Sequence, residues 1–206
     1  MRARHYFALA RRYATPLHKP TLIAVMGLSG TGKTTVARAI AGELGLRVLS
    51  SDAIRKSLFG KAGRPFGYGE GAYNLEANRL TYETLMAQSR TLLDASGGVI
   101  LDATFQRAED RAMAQAMAIW SGANWRLLEC QLSPELVQSR LAARAAQADV
   151  LSAATWEVYL RQREQFEPFD NQTTGVKHLA LDTSRNLAVI SRAATDWLRE
   201  NDQQGH

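Results

Sequence analysis

The sequence predicts a single α/β domain in which a parallel, five-stranded sheet is wrapped by helices. Three observations carry this expectation. From residue 21 onward, short apolar runs alternate with helix-length segments, the order that a parallel sheet with helical crossovers imposes. A glycine-rich turn joins the first apolar run to the first helical one. The 206 residues, 46% of them hydrophobic, suffice to build one buried core.

Taken in order, Arg2 to Ala14 reads as a short amphipathic helix, with Tyr6, Leu9 and Tyr13 at spacings of three and four. Thr15, Pro16 and Pro20 end it, because proline cannot continue a helix. Residues 1–20 are read as a basic linker helix rather than an organelle transit peptide, since they hold little serine and run into a core strand. Residues 21–206 form the globular domain. Strands are expected at Leu22 to Met26, Arg47 to Ser50, Val99 to Leu101, Arg126 to Leu132 and His178 to Leu181. Helices are expected at Lys33 to Leu44, Asp52 to Phe59, Ala72 to Ala95, Ala108 to Ser121, Pro134 to Ala146, Thr155 to Gln165 and Leu187 to Asn201. In the longest helix, Leu75, Tyr82, Leu85, Met86, Leu92 and Leu93 make one core-facing stripe. Gly97 and Gly98 stop that helix. Gly60 to Gly71 is the one long irregular stretch, a kind of segment that often carries function.

Charge and cysteine usage exclude several classes. The formal charge is +5, but Arg2, Arg4, Arg11, Arg12 and Lys19 lie in residues 1–20, which contain no Asp or Glu. The rest of the chain then holds 20 basic against 20 acidic residues. A polyanion-binding body is therefore disfavoured. No apolar run approaches the roughly 20 residues of a membrane-spanning helix. The single cysteine, Cys130, sits in an apolar strand and reads as inert core. Trp120, Trp125, Trp156 and Trp197 read as packing residues. A reduced, cytoplasmic protein is expected.

Gly27-Leu28-Ser29-Gly30-Thr31-Gly32-Lys33-Thr34 matches the Walker A pattern at every fixed position, between an apolar strand and a helix-forming run. Glycines let the backbone curl so that successive N–H groups face phosphate oxygens, and the helix that follows aims its positive end at the same anion. Gly27 to Thr35 is thus the expected nucleotide cradle, with Lys33 on the β- and γ-phosphates and Thr34 on Mg²⁺. Val99-Ile100-Leu101-Asp102 is the Walker B candidate, and Asp102 the second magnesium residue. Ala103 stands where a motor ATPase carries a water-activating glutamate, and no Asn-Lys-x-Asp guanine-reading motif occurs. A small ATP-dependent phosphotransferase remains.

Asp52 follows the second strand directly, where a parallel sheet gathers its ligands. It is the candidate base for an attacking hydroxyl, with helix capping as its competing role. Arg55, one turn on, suits an anionic group of the acceptor or the transferring phosphoryl. Thr104 and Arg107 are further acceptor candidates; for Arg107 and Arg111 a solvated helix charge is an equal alternative. Arg140 and Arg144, at i and i+4, suit a lid that neutralises phosphoryl charge. The loop Asp182 to Asn186 is a candidate border of the adenine.

These segments resemble a known family. Gly27 to Thr35, Ser51-Asp52-x-x-Arg55-Lys56, Leu101 to Phe105, Arg140-x-x-x-Arg144 and Glu167-Pro168 look like the bacterial P-loop kinases with a zeta-toxin-like ATPase domain. Their wider relatives include gluconate kinase, chloramphenicol phosphotransferase and polynucleotide 5′-kinase. The resemblance implies a P-loop NTPase three-layer sandwich of strand order 2-3-1-4-5 with a helical lid near residues 134–168. It also implies ATP and Mg²⁺ as cofactors, a hydroxyl acceptor, and fusion to an aminoglycoside-phosphotransferase-like domain through the N-terminal helix. Ser152-Ala153-Ala154 departs from the Ser-Asp-Ala of the family lid. The expected reaction is γ-phosphoryl transfer from ATP to a small-molecule hydroxyl, with Lys33, Asp52, Arg55, Arg140 and Arg144 as catalytic candidates. A polynucleotide 5′-hydroxyl kinase and a non-catalytic ATP-binding regulatory module are the alternatives.

Overall fold

The computed structural model describes residues 17–60, 75–146, 155–169 and 176–203. Within them the chain runs β1 (Thr21–Met26), α1 (Lys33–Leu44), β2 (Arg47–Ser50), α2 (Ser51–Phe59), α3 (Leu75–Ser96), β3 (Gly98–Asp102) and α4 (Ala108–Trp120). It continues through β4 (Asn124–Gln131), α5 (Pro134–Ala146), α6 (Trp156–Glu164), β5 (Lys177–Asp182) and α7 (Leu187–Gln203). The five strands are all parallel, in the order 2-3-1-4-5. The N-terminal helix over Arg2 to Ala14, the glycine-rich stretch beyond Gly60 and the lid residues 147–154 lie outside the described residues.

β1 explains the layering. All six of its residues are buried, as a central strand covered on both faces requires. Side chains alternate across a strand, so Leu22, Ala24 and Met26 enter one core with Tyr82, Leu85, Leu101, Phe105 and Trp125. Ile23 and Val25 enter the other, with Val36 and Ile40 of α1 and Ile190, Ala194 and Leu198 of α7. A third, smaller cluster joins α5 to α6 through Val137, Leu141 and Tyr159.

Parallel pairing places every strand's carboxyl end on the same edge. The register sets Asp102 beside Val25 on one side and Ser50 on the other. β1 lies between β3 and β4, where successive crossovers leave in opposite directions, and that arrangement opens a crevice at the strand ends.

Leu17 packs against the second core. The backbone N–H groups of His18 and Lys19 donate to the buried Asp202 carboxylate, as does Asn124 Nδ2. Residues 17–20 therefore contact the globular body. Two expectations are corrected. Leu75 is 72% exposed, so the stripe of α3 narrows to Tyr82, Leu85, Met86 and Leu93 with Leu92 at its margin. Trp120 is also exposed, its ring covered by the Arg90 guanidinium 3.8 Å from the centroid.

Candidate active site

The loop between β1 and α1 is held open from outside. Gly27 adopts φ 150°, and a Cβ there would fall 2.6 Å from Thr31 Oγ1 and 2.9 Å from the Cys130 carbonyl. Gly30 has φ 83°, and its Cβ would meet Val137 Cγ1 at 2.9 Å. Only glycine fits either position. Thr31 Oγ1 donates to the Leu28 carbonyl at 2.8 Å, and Thr183 Oγ1 donates to the Thr31 carbonyl at 2.7 Å. The N-terminus of α1 has no side-chain cap and no acidic residue in its first turn. Its unsatisfied N–H groups and dipole are thus left for an external anion.

Lys33, the first residue of α1, has its ammonium pulled below the usual lysine range by desolvation, opposed first by Asp102 and less strongly by Cys130 and Asp52. Asp102 is 3% exposed. Its Oδ2 accepts from Thr34 Oγ1 at 2.8 Å, while its Oδ1 is buried without a hydrogen-bond partner among the described residues. An orphaned carboxylate oxygen beside a hydroxyl is an all-oxygen donor set that fits Mg²⁺, a hard cation. Cys130 lies below this pair, its thiol pushed up to about 12 by burial, and it is unreactive there.

Across from the loop, Asp52 lies in the first turn of α2, about half exposed, and pairs with Lys56 at 2.9 Å. Ser50 occupies the N-cap position, so Asp52 is not the cap. Arg55 Nη2 donates to Asn78 Oδ1 at 2.9 Å, and Asn78 in turn hydrogen-bonds Asp110. Asp110 is 3% exposed, and burial, with Glu109 next to it, raises its carboxyl from 3.8 to about 6. The folded state consequently binds more protons than the unfolded chain between those values, and stability falls as pH rises through that window. Asp110→Asn, which keeps an acceptor for Asn78, is expected to raise stability at pH 8 by about 1–2 kcal/mol and to leave it unchanged near pH 4. Urea unfolding at the two pH values checks this; a loss at pH 8 would contradict it.

The loop after β3 is also fixed on both sides of one residue. Phe105, fully buried, sits at φ 47°, a conformation that costs about 1 kcal/mol or more for a side-chain-bearing residue. Its N–H donates to Tyr82 Oη at 2.9 Å, and its carbonyl accepts from Arg111 Nη1 at 2.7 Å. Tyr82 Oη also lies 3.5 Å from Thr104 Oγ1. Arg111 is buried and binds the Glu167 carbonyl as well, at 2.9 Å. The solvated alternative therefore fails for Arg111, which clamps the loop. Arg107 forms a surface ion pair with Glu109 at 2.7 Å and does not line the cleft described next.

A cleft of about 350 Å³ opens over the loop. Gly30 to Val36, apart from Thr31, form its floor; Arg140 and Arg144 of α5 stand on one wall, and Thr183, Arg185, Leu187 and Ile190 on another. Arg140 Nη2 donates to the Thr183 carbonyl at 2.7 Å, tying α5 to the loop after β5. The structure thus brings Lys33, Thr34, Arg140 and Arg144 together, with Asp102 and Asp52 acting on Lys33, and the Asp182 to Asn186 loop at the rim. Sequence reading missed Asn78 and Asp110 and took Tyr82 only as a core residue. All three lie within helices, and no local pattern distinguishes them from ordinary helix positions.

Comparison with known proteins agrees with this fold. The chain is 31% identical over 127 residues to an uncharacterized protein of Mycobacterium tuberculosis, a match covering 60% of this chain and 26% of that protein. The chain thus spans about a quarter of the length of that relative. A shikimate kinase of Paramagnetospirillum magneticum is 31% identical over 108 residues, 52% of this chain and 53% of its own. Among solved structures, a gluconokinase from Sinorhizobium meliloti superposes with TM-score 0.65 at 22% identity, covering 93% of this chain and all of its own. The Mycobacterium tuberculosis APS kinase, in complex with AMPPNP and APS, gives TM-score 0.61 at 21% identity, covering 89% and 99%. At these identities the likeness is one of fold. A family model of the AAA domain matches residues 22–169, from β1 through α6, and the chain belongs to that family with a P-loop kinase-like fold.

Proposed function

We propose that this domain transfers the γ-phosphoryl group of ATP to a hydroxyl of a small-molecule acceptor. The observation that carries the reading is the buried Asp102, one oxygen on Thr34 and the other unpartnered among the described residues, beside a Lys33 that also feels Asp52. Asp52 takes the proton of the acceptor hydroxyl as its oxygen bonds to the γ-phosphorus, while the bond from that phosphorus to the β–γ bridging oxygen breaks and ADP leaves. Lys33 meets the phosphates from the loop, and Arg140 and Arg144 offset the charge of the transferring group from α5. Thr34 and Asp102 would hold Mg²⁺, which supplies charge neutralisation on the phosphates. Arg55, held by Asn78, presents a cation to an anionic group of the acceptor. The helices α5 and α6 serve as the lid.

A small acceptor is favoured over a polynucleotide end because the net positive charge of the chain resides in residues 1–20. The names of the shikimate kinase relative and the gluconokinase neighbour point the same way. The test is a screen of hydroxylated metabolites and 5′-hydroxyl oligonucleotides for label transfer from γ-labelled ATP with Mg²⁺. Transfer to a metabolite is the expected result. Transfer to oligonucleotides alone would move the reading to a polynucleotide kinase, and nucleotide binding without any transfer would leave a regulatory module.

A further inference from the structure

The outer limb of the phosphate loop is gripped by a residue that neither the motif nor the cleft includes. Gln162 of α6 is 7% exposed, and its Oε1 accepts the backbone N–H of Ser29 at 2.8 Å, across 133 residues of sequence. The same limb is packed from outside. Leu28 sits against the α5–α6 cluster of Val137, Leu141 and Tyr159, and Gly30 closes on Val137 and Leu141. Gln162 is therefore placed by a small core of its own rather than by a free helix surface.

The chemistry of the amide determines what remains available. A glutamine side chain has one accepting oxygen and a nitrogen with two donors. Ser29 contributes an N–H, so the oxygen must face it, and both Nε2 donors are left over. Among the described residues no acceptor meets them. Two donors on a buried side chain next to a phosphate loop suit an anionic oxygen.

The position along the loop indicates which oxygen. The cleft is lined by the apolar Leu187 and Ile190 together with Val36, Thr34, Lys33 and, earliest in the loop, Gly30. Ser29 is the residue before it. A nucleotide whose base lies at the apolar end and whose inner phosphates meet Lys33 and Thr34 brings its last phosphoryl group toward Ser29.

We propose that Gln162 donates from Nε2 to the terminal phosphoryl group of a bound nucleoside triphosphate, and so distinguishes triphosphate from diphosphate while linking α6 to the loop. This rests on the ATP-binding reading above. The experiment is calorimetric titration of the full chain with AMPPNP and with ADP, each with Mg²⁺, for wild type, Gln162→Ala and Gln162→Glu. The glutamate variant keeps an oxygen for the Ser29 N–H and removes the donors, so it separates phosphate contact from loop support. In both variants AMPPNP affinity is expected to fall about 10-fold or more beyond any change for ADP, the scale of one hydrogen bond to a charged group. Melting temperature of the glutamate variant without nucleotide should match wild type. Equal losses for the two nucleotides, or none, would overturn the assignment and leave Gln162 as loop support only. A wild type that binds neither nucleotide overturns the ATP-binding reading itself, a result distinct from either of those.

Discussion

Lys33→Ala is expected to abolish the rise in melting temperature that ATP and Mg²⁺ produce in the wild type. At 100 times its dissociation constant a ligand adds about 2.7 kcal/mol to the stability of the state that binds it. For a domain of about 200 residues that amounts to a shift of several degrees. Lys33 is the cation at the mouth of a helix whose first turn carries no acid and no side-chain cap. Desolvation already disfavours its charge in the protein alone, offset first by Asp102. A triphosphate restores a full counter-charge there, so the ammonium contributes more to the complex than to the unliganded fold. Thermal melts with and without ATP-Mg²⁺ read the effect directly. A full nucleotide shift in Lys33→Ala, or none in the wild type, would remove the basis of the nucleotide assignment.

Asp52→Asn is expected to leave ATP affinity nearly unchanged and to reduce acceptor phosphorylation by about 10²–10⁴-fold, the usual contribution of a positioned base. The loose transition state of phosphoryl transfer needs less help from a base than acyl transfer does, which favours the lower end. The structure makes this substitution a clean one. Ser50, not Asp52, occupies the N-cap of α2, so no cap is lost. The ion pair with Lys56 is solvent-exposed, and pairs of that kind contribute roughly 0–1 kcal/mol. Urea unfolding should therefore superpose on the wild type within about 1 kcal/mol. Single-turnover transfer at wild-type rate in Asp52→Asn would exclude it as the base and turn attention to Asp102.

The fold was legible in the sequence because its signals are local. A six-residue apolar run, a glycine turn and a helix-forming segment define β1, the phosphate loop and α1 in one continuous stretch, and the structure places α1 at the expected Lys33–Leu44. The Arg47–Ser50 strand and the Pro134–Ala146 helix were equally readable from length and bounding residues. Parallel pairing then carries Asp52, Asp102 and the loop to one edge of the sheet without further information. What each polar side chain does there was not legible. Arg111 looks like any helix arginine, yet it is buried because the carbonyls of Phe105 and Glu167, from opposite directions in sequence, converge on it. Asp110 titrates near 6 because it is buried in the fold, where Asn78 of α3 reaches it. Gln162 meets Ser29 only because α5 and α6 fold back against the loop. Sequence alone determined the elements, their order and the phosphate loop, since periodicity and backbone preference act over a few residues. Tertiary structure alone decided burial, hydrogen-bond partners and proton affinities, since these depend on groups brought together across distances that no local pattern encodes.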